Sequence, residues 1–498
     1  MEAEIENIEA DELAPRQELS PRGLRFSALA RDVATMGSGA ALNVLFATVL
    51  VFLIPRMVSV EDYGYWRLFA LYAGYVGFLH LGLADGALLC WAGRPLAEFH
   101  HEIGPSMKFL VCEHLMVIVP ASLLVALLLP SNTRLVGIAV LLFAFVMNSV
   151  TLLQFSLQGA KMFRPVAVAT AAPAGAFLLL VFLWELRRVP NFRELIVLYF
   201  LAWAGLLIYL WLRVRPGWQV GDPAWRFGRS YISLGWPVLL ANTGYGLVGA
   251  ADRFAVSMTL PIYDFARYSL AASIMLVPVT AIASVYRVFF SHVAGVEQES
   301  RAKVYRHASK FVLALWSLSL PCYFAIEPFV RHFLPKYVPA LPVAGVLMLG
   351  VLFLAGIQIL HMSYFYLHGM QRQFLLQAAG ALVVCLSLAL AMTLWLGSLI
   401  AVAIGQVAAL GLWWFANEWG VRRISGQGWK DWLRVLSVAG WSAACYGLAL
   451  RLTPEPGWRV PIYYLLVVSA LGLSCRDEFR LGLRLLQSSR GDAVVIQK

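Results

Sequence analysis

The stretch LPVAGVLMLGVLFLAGIQILHMSYFY, residues 341–366, decides the fold class of this chain. It contains no aspartate, glutamate, lysine or arginine, and it exceeds the ~20 residues that a helix needs to cross a hydrocarbon core about 30 Å thick. Comparable apolar stretches recur along the whole chain, whose residues are 60% hydrophobic and 13% charged. Because soluble domains carry about 25% charged residues, the sequence predicts an all-α polytopic membrane protein.

Turn-forming residues between the apolar stretches predict about fourteen transmembrane helices. Strong breaks include Leu129–Asn132 and Thr453–Gly457, whereas the break at Gly397 is weakly marked, so twelve or thirteen spans also fit the sequence. The expected spans are residues 33–54, 63–90, 106–130, 135–158, 165–185, 194–212, 230–258, 262–290, 310–330, 341–366, 373–395, 397–418, 432–451 and 459–475.

The distribution of basic residues orients these spans. The chain has a net charge of +11, and most of its 39 lysines and arginines fall in loops on one side if the N-terminus is cytoplasmic. The positive-inside rule therefore predicts that both termini lie in the cytoplasm, although the loop Arg187–Arg193 opposes the trend. The membrane that we expect is the bacterial inner membrane. No basic patch with interleaved aromatics lies on a soluble domain, so the charge indicates contact with anionic headgroups rather than nucleic acid.

Two segments six spans apart resemble each other. VEDYGYWRLFA (residues 60–70) and IYDFARYSLA (residues 262–271) each place an acid, an aromatic and a small residue before a helix that carries an arginine. If the match is not chance, a repeated unit with an even number of spans predicts parallel halves with a cavity between them. The expected organisation is an N-terminal cytoplasmic tail (1–30), an N-lobe of six spans (31–227), a C-lobe of six spans (228–420), two extra helices (421–476) and a C-terminal cytoplasmic tail (477–498).

Motifs of enzymes and metal sites are missing from the sequence, so we expect no enzyme activity, cofactor or metal. There is no GxxxxGK[ST], HExxH or GxSxG, and the six cysteines form no CxxC pair. The run Glu98–Glu102 (EFHHE) is interpreted as a solvated loop rather than a metal site. Gly37 and Gly39 are interpreted as allowing close helix approach.

Charged and polar residues inside spans are costly, and each is therefore a candidate functional residue. Arg67 and Asp85 lie about five helical turns apart and would project from one face of a continuous helix. The candidates for lining a substrate cavity are Arg67, Asp85, Asp252, Arg253, Arg267, Arg287, His361 and His368. The candidates for ion coupling are Asp85, Glu113, His114 and His361. Alternatively, the arginines near span ends reach headgroups or pair with Asp62, Asp252 or Asp264.

Three motifs resemble those of a known family. The run IPRMVSVEDYG (residues 54–64) resembles the first-loop motif of polysaccharide flippases of the multidrug/oligosaccharidyl-lipid/polysaccharide (MOP) exporter superfamily. LGLADGA (residues 81–87) is similar to the glycine-rich end of their second span. ADRF (residues 251–254) with ARYSLA (residues 266–271) resembles their seventh-to-eighth-span motif, although YDFA (residues 263–266) lacks the usual glycine before the aromatic.

This resemblance implies a fold and a function. The fold is a V-shaped pair of six-helix lobes around a cationic cavity, and Arg67, Asp252, Arg253 and Arg267 match motif positions. The function is a flippase that moves an undecaprenyl-diphosphate-linked oligosaccharide across the inner membrane by alternating access, for O-antigen of lipopolysaccharide, capsule or exopolysaccharide. Expected partners are that lipid-linked oligosaccharide, membrane lipids, and a glycan polymerase with its chain-length protein, around a monomeric transporter.

Four alternatives remain open at this stage. Two belong to the same superfamily: a multidrug or cation exporter, and a flippase for a peptidoglycan lipid precursor. A membrane glycosyltransferase or ligase belongs to another class, and the short outside loops argue against it. The fourth alternative is a structural scaffold for a glycan-assembly complex, which needs no cavity.

Overall fold

A computed structural model describes residues 26–217, 224–294, 298–425, 429–452 and 456–474, and these ranges contain helices and no strands. The predicted terminal tails lie almost entirely outside them. Short turns of 3₁₀ helix occur at Val76–His80 and Pro335–Ala340, and a π turn occurs at Ile357–His361. The α-helices are α1 Phe26–Met57, α2 Val60–Ala73, α3 Leu83–Trp91, α4 Leu96–Leu128, α5 Ser131–Gly159, α6 Phe163–Glu185, α7 Phe192–Val214, α8 Ala224–Val248, α9 Ala251–Thr259, α10 Ile262–Ala294, α11 Gln298–Ser319, α12 Cys322–Phe333, α13 Leu341–Gly356, α14 Met362–Leu367, α15 Gln371–Leu396, α16 Leu399–Ser425, α17 Trp429–Leu452 and α18 Pro456–Ser474.

The predicted fold class is confirmed: the chain is an all-helical, multi-pass membrane protein. Ten helical segments of the described ranges are long and apolar enough to cross a membrane, and α2 with α3 makes an eleventh if that bent pair is one span. Helices α8, α10 and α18 occupy the other predicted spans. Large apolar side chains on the outer face of α4, such as Leu115, Met116 and Val119, are more than half exposed, as expected for a surface in contact with lipid.

The second predicted span is broken, which corrects one sequence argument. Helix α2 ends at Ala73, and α3 starts after Gly82, whose φ of +90° is left-handed backbone that glycine adopts without strain. The two helical pieces bend by 59°. Arg67 and Asp85 therefore do not share one helix face, and the prediction that they do was wrong.

Other boundaries also differ from the sequence prediction. Helix α4 begins at Leu96, so most of the predicted loop 91–105 is helical. Helix α11 begins at Gln298, so most of the predicted loop 292–309 is helical as well. The predicted span 310–330 is interrupted at Pro321, where α11 gives way to α12. Prolines and short turns break these helices while the sequence stays apolar, so a hydropathy profile does not show the breaks.

The two repeat-like segments lie against each other. Helix α2 packs against α10, and at Gly64 a Cβ atom would lie 2.7 Å from the Ile262 carbonyl oxygen. Within the first half, α1 packs closely on α6, where a Cβ at Gly39 would lie 2.6 Å from the Ala167 oxygen. That contact agrees with the predicted helix approach, whereas Gly37 has no neighbour within 4 Å. The division into lobes at residue 227 stays a prediction.

Candidate substrate cavity

A cavity of 630 Å³ lies among α2, α8, α9, α10 and α13, where the two halves of the chain meet. None of its described lining residues is an aspartate or a glutamate. Two of them, Arg67 and Arg253, are arginines. Uncharged polar side chains make up the rest of its polar lining: Tyr75, Asn242, Thr243, Tyr245, Thr280 and Gln358.

Both cavity arginines have unused hydrogen-bond donors. The Nε atom of Arg67 is buried without a partner, and so is the Nε atom of Arg253. One terminal nitrogen of Arg253 donates to the Gly249 carbonyl oxygen at 3.3 Å. Among the described residues, neither guanidinium lies within ion-pair distance of a carboxylate, although the Asp252 carboxylate acts on Arg253 from a greater distance. Because an unpaired charge at membrane depth is costly, this pair is suited to an anionic ligand.

Asp252 holds the start of α9 rather than facing the cavity. Its buried carboxylate accepts the Tyr268 hydroxyl at 2.6 Å and the backbone N–H of Arg253 at 2.7 Å. The first contact ties α9 to α10, and the second fixes the residue that reaches the cavity. Asp252 is therefore placed to position Arg253.

Arg267 and Arg287 differ from the two cavity arginines. Arg267 lies 3.4 Å from Asp264 one turn earlier and does not line the cavity, which agrees with the structural alternative. Nearby, the Tyr263 hydroxyl donates to the Glu61 carboxylate at 3.1 Å and links α10 to α2. Arg287 lies in α10, but its side chain is outside the described part of the structure.

Asp85 lies at the break between α2 and α3, away from the cavity lining. Its carboxylate is 3.8 Å from Nε2 of the buried His80. The Nδ1 atom of His80 accepts the backbone N–H of Gly82 at 3.1 Å. The two side chains thus brace the left-handed turn that bends the span.

Glu113 and His114 also lie away from the cavity. Nδ1 of His114 is 2.5 Å from the Glu113 carboxylate, and its Nε2 is 2.9 Å from the amide nitrogen of Asn148. The same amide donates to the Val76 carbonyl oxygen at 3.0 Å. This network joins α4 and α5 to the 3₁₀ turn after α2.

His361 faces a buried carboxylate that the sequence analysis missed. Its Nε2 is 2.8 Å from Glu418 on α16, and the Tyr305 hydroxyl donates to the same oxygen at 2.6 Å. The π turn Ile357–His361 changes the helix register, so Gln358 lines the cavity whereas His361 points away from it. The adjacent polar residues Asn417 and Glu418 within an apolar stretch were the available signal.

His368 completes the polar residues of this part of the chain. It is half-buried, with Nδ1 at 2.8 Å from the Tyr364 carbonyl oxygen and its ring stacked on the Tyr364 ring. It does not line the cavity. Of the eight residues predicted to line a cavity, the structure brings together Arg67 and Arg253.

Glu102 is a second functional candidate that the sequence analysis misassigned. It was predicted in a solvated loop, but it lies on α4 and is buried. Its carboxylate accepts the Trp91 Nε1–H at 2.8 Å and the Tyr231 hydroxyl, and Arg94 lies at 3.3 Å. The network joins α3, α4 and α8 at the end of the bundle where α3 finishes. The described residues contain no cluster of three metal-ligating side chains.

Similarity to known proteins is found in the fold and not in the sequence. No known family profile matches the sequence, and no curated protein is significantly similar to it. Among solved structures, the lipid II flippase MurJ in an inward closed conformation superimposes with a TM-score of 0.69 at 12% identity, covering 90% of this chain and 99% of that chain. An inward-facing multidrug resistance MATE family transporter of the MOP superfamily gives 0.62 at 12% identity, covering 78% and 99%. An outward-facing transporter of the same description gives 0.54 at 16% identity, covering 81% and 97%.

Proposed function

We propose that this protein is a flippase for an undecaprenyl-diphosphate-linked oligosaccharide, acting in O-antigen, capsule or exopolysaccharide synthesis. One observation carries the proposal: Arg67 and Arg253 both face a cavity whose described lining contains no carboxylate. Guanidinium groups match the geometry and charge of phosphate oxygens. The fold, shared with MOP-superfamily flippases and transporters, supplies a setting in which such a cavity opens to either leaflet.

Contacts at both ends of the bundle support alternating access. At the end where α1 finishes, Lys336 donates to the Val58 carbonyl oxygen at 3.3 Å, and the rings of Tyr63 and Tyr337 lie 5.4 Å apart. At the end where α3 finishes, the Tyr231 hydroxyl of α8 donates to the buried Glu102 carboxylate of α4, which also accepts the Trp91 Nε1–H of α3. Breaking one set of contacts while keeping the other would open the cavity to one side of the membrane.

The buried group of His361, Glu418 and Tyr305 is our candidate for ion coupling. It joins α11, the π turn and α16 through one carboxylate oxygen, and Nδ1 of His361 has no hydrogen-bond partner. Carboxylates and histidines inside membrane spans often mark ion pathways, and π turns occur often at functional sites. In this proposal Glu418 joins His361 as a coupling residue.

The proposal is tested by reconstituting the purified protein in vesicles that contain a lipid-linked oligosaccharide. A lectin added outside reports how much glycan reaches the outer leaflet. We expect exposure to rise well above that of vesicles carrying a heat-inactivated sample. Equal exposure in both preparations would refute the proposal.

A peptidoglycan-precursor flippase is the second candidate, because the MurJ structure covers 90% of this chain at a TM-score of 0.69. Expression in a strain depleted of its own lipid II flippase separates the two, since survival would favour this candidate. A multidrug exporter for cations fits less well because the described cavity lining holds arginines and no carboxylate. Unchanged drug susceptibility of an expressing strain is therefore expected.

A further inference from the structure

The bend of the second span is a strained segment of backbone. We call residues 74–82, between the end of α2 and the start of α3, the hinge. Its last two residues are both left-handed: Leu81 has a φ of +51° and Gly82 a φ of +90°. A residue with a side chain keeps such a backbone only where its surroundings impose it. The shape of the hinge therefore depends on the side chains that hold it.

One side of the hinge forms part of the wall of the central cavity, which is the cavity that Arg67 and Arg253 line. Four hinge residues line this cavity: Gly74, Tyr75, Gly77 and Phe78. The Tyr75 hydroxyl also donates to the Gly246 carbonyl oxygen at 2.7 Å and ties the hinge to α8. A change in the hinge would therefore change the cavity wall and its contact with α8.

His114 reaches the hinge through one amide. The Asn148 side-chain nitrogen donates to the carbonyl oxygen of Val76, a hinge residue, at 3.0 Å, and it lies 2.9 Å from Nε2 of His114. The Val76 carbonyl requires the amide nitrogen on this side, and that nitrogen has only hydrogens to offer. Nε2 of His114 is therefore the acceptor. The ring is neutral with its proton on Nδ1, which donates to the Leu110 carbonyl oxygen at 3.0 Å.

The surroundings of His114 can hold an imidazolium charge. Glu113, on the same helix, has its carboxylate 2.5 Å from Nδ1 and supplies the counter-charge. Helix α5 presents two uncharged groups to the ring, the amide of Asn148 and the ring of Phe145. His114 is 1% exposed, so a charge there would be costly without the carboxylate.

Two more titratable side chains lie at the hinge itself. His80, a buried hinge residue, accepts the Gly82 N–H on Nδ1 at 3.1 Å, and its Nε2 lies 3.8 Å from the Asp85 carboxylate. The imidazoles of His80 and His114 are close enough to interact electrostatically, so a proton on one disfavours a proton on the other. His114 has the nearer carboxylate and is therefore the better site for a first proton.

A proton on Nε2 of His114 would break the link to Val76. The imidazolium ring has two donors and no acceptor, so Nε2–H would face the amide hydrogens of Asn148. The amide relieves this clash by turning its Oδ1 toward His114, and that oxygen has no hydrogen-bond partner in the described structure. Turned in this way, the amide no longer presents a hydrogen to Val76, and the hinge loses a contact that holds it.

We propose that His114 is a proton-binding site that controls the hinge. The proton comes from water and forms one N–H bond at Nε2, and the hydrogen bonds from Asn148 to His114 and Val76 break. Because the bent hinge requires a neutral ring, alkaline pH favours the bent hinge and acid pH favours its release. The inference goes beyond the proposed function, since it concerns no lipid-linked substrate, and the site is separate from the candidate coupling residues His361 and Glu418.

The test follows hydrogen–deuterium exchange of the hinge in the full-length protein in lipid nanodiscs. Exchange is compared at about pH 8 and about pH 5, across the range in which histidine titrates. It is read by mass spectrometry on peptides that cover residues 74–82 and is corrected for the intrinsic effect of pH. Loss of one hydrogen bond should make the corrected exchange of the wild-type hinge roughly two- to tenfold faster at the lower pH.

Two substitutions assign the effect to its residues. His114→Gln keeps an acceptor for Asn148 but cannot be protonated, so the hinge should exchange slowly at both pH values. Asn148→Leu removes the donor to Val76, so the hinge should exchange fast at both. His101→Gln, at an exposed histidine of the same helix, is the matched control and should retain the wild-type pH response.

Two results would overturn the proposal. A wild-type hinge that exchanges equally at both pH values refutes a proton site at the hinge. A pH response that survives in His114→Gln refutes the role of His114, and its disappearance in His80→Gln would assign the proton to His80 instead. Because no lipid-linked glycan is used, a failure of the proposed function leaves this test unaffected. A folded elution profile for each variant excludes loss by unfolding.

Discussion

Replacing Arg67 by methionine should change the thermal stability and the ligand affinity of the protein in different directions. Arg67 has a buried Nε without a partner and no ion pair among the described residues, so it contributes no internal contact that would offset its charge. Arg67 lies near the start of its span, so its charge costs less than the about 2.5–3.5 kcal/mol of an arginine at the centre of a membrane-spanning helix. Arg67→Met keeps an unbranched, flexible stem and removes the charged guanidinium. We therefore expect thermal stability to stay constant or to rise.

Ligand binding should change the other way. A hydrogen bond to a charged group contributes about 1.5–3 kcal/mol, so loss of the Arg67 guanidinium should weaken binding of undecaprenyl diphosphate by roughly 10- to 150-fold. Arg67→Lys keeps the charge without the planar fork, so its affinity should be intermediate. Affinity is measured in nanodiscs, with Arg134→Met at an exposed arginine as the matched control.

A purely structural Arg67 would give the reverse pattern. In that case Arg67→Met would unfold at a lower temperature than the control variant and would bind undecaprenyl diphosphate as tightly. This pair of results would refute the assignment of Arg67 to an anion site. It would leave the fold untouched.

Three further predictions concern the other clusters. Glu418→Gln should abolish ion-dependent transport without preventing the binding of undecaprenyl diphosphate, and both are measured on the same preparation. Unchanged ion dependence would show that the buried group of His361, Glu418 and Tyr305 has no role in coupling. Gly235→Ala should force α3 and α8 apart and reduce the transport rate at least tenfold, because the new Cβ atom would lie 1.9 Å from the Gly82 carbonyl oxygen. Gly380→Ala is the control, because a Cβ atom there would have no neighbour within 4 Å. Tyr231→Phe should lower the thermal stability by about 1–3 kcal/mol because it removes a donor to the buried Glu102 carboxylate, and an unaltered unfolding temperature would contradict that network.

The fold class was predictable because it depends on length and hydropathy alone. Residues 341–366 have no charge over a length that crosses a membrane, and the structure places a chain of helical pieces there, from Leu341 to Leu367. Backbone breaks were not predictable in the same way. The turn at Gly82 and the π turn at Ile357–His361 leave the hydropathy of the sequence unchanged, yet each rotates the side chains that follow.

The site was only partly predictable, because the sequence shows which spans carry charged residues but not which way those residues point. Arg67 and Arg253 stood out as charges inside spans, and the structure brings them to one cavity. His361 also stood out, but the changed register turns it toward Glu418. Glu102 was assigned to a loop because the span was predicted to begin at residue 106, whereas α4 begins at Leu96, before its apolar part. That error turned a buried acid into a solvated one.

The most direct test of the central claim measures flipping of a lipid-linked oligosaccharide in vesicles that contain the Arg67→Met/Arg253→Met double variant. The control carries Arg134→Met and Arg193→Met, which remove two arginines from a separate, lipid-facing groove. We expect the control to expose glycan at the wild-type rate and the cavity variant to be slower by at least tenfold. Equal rates in the two variants would contradict the claim that the central cavity binds the diphosphate.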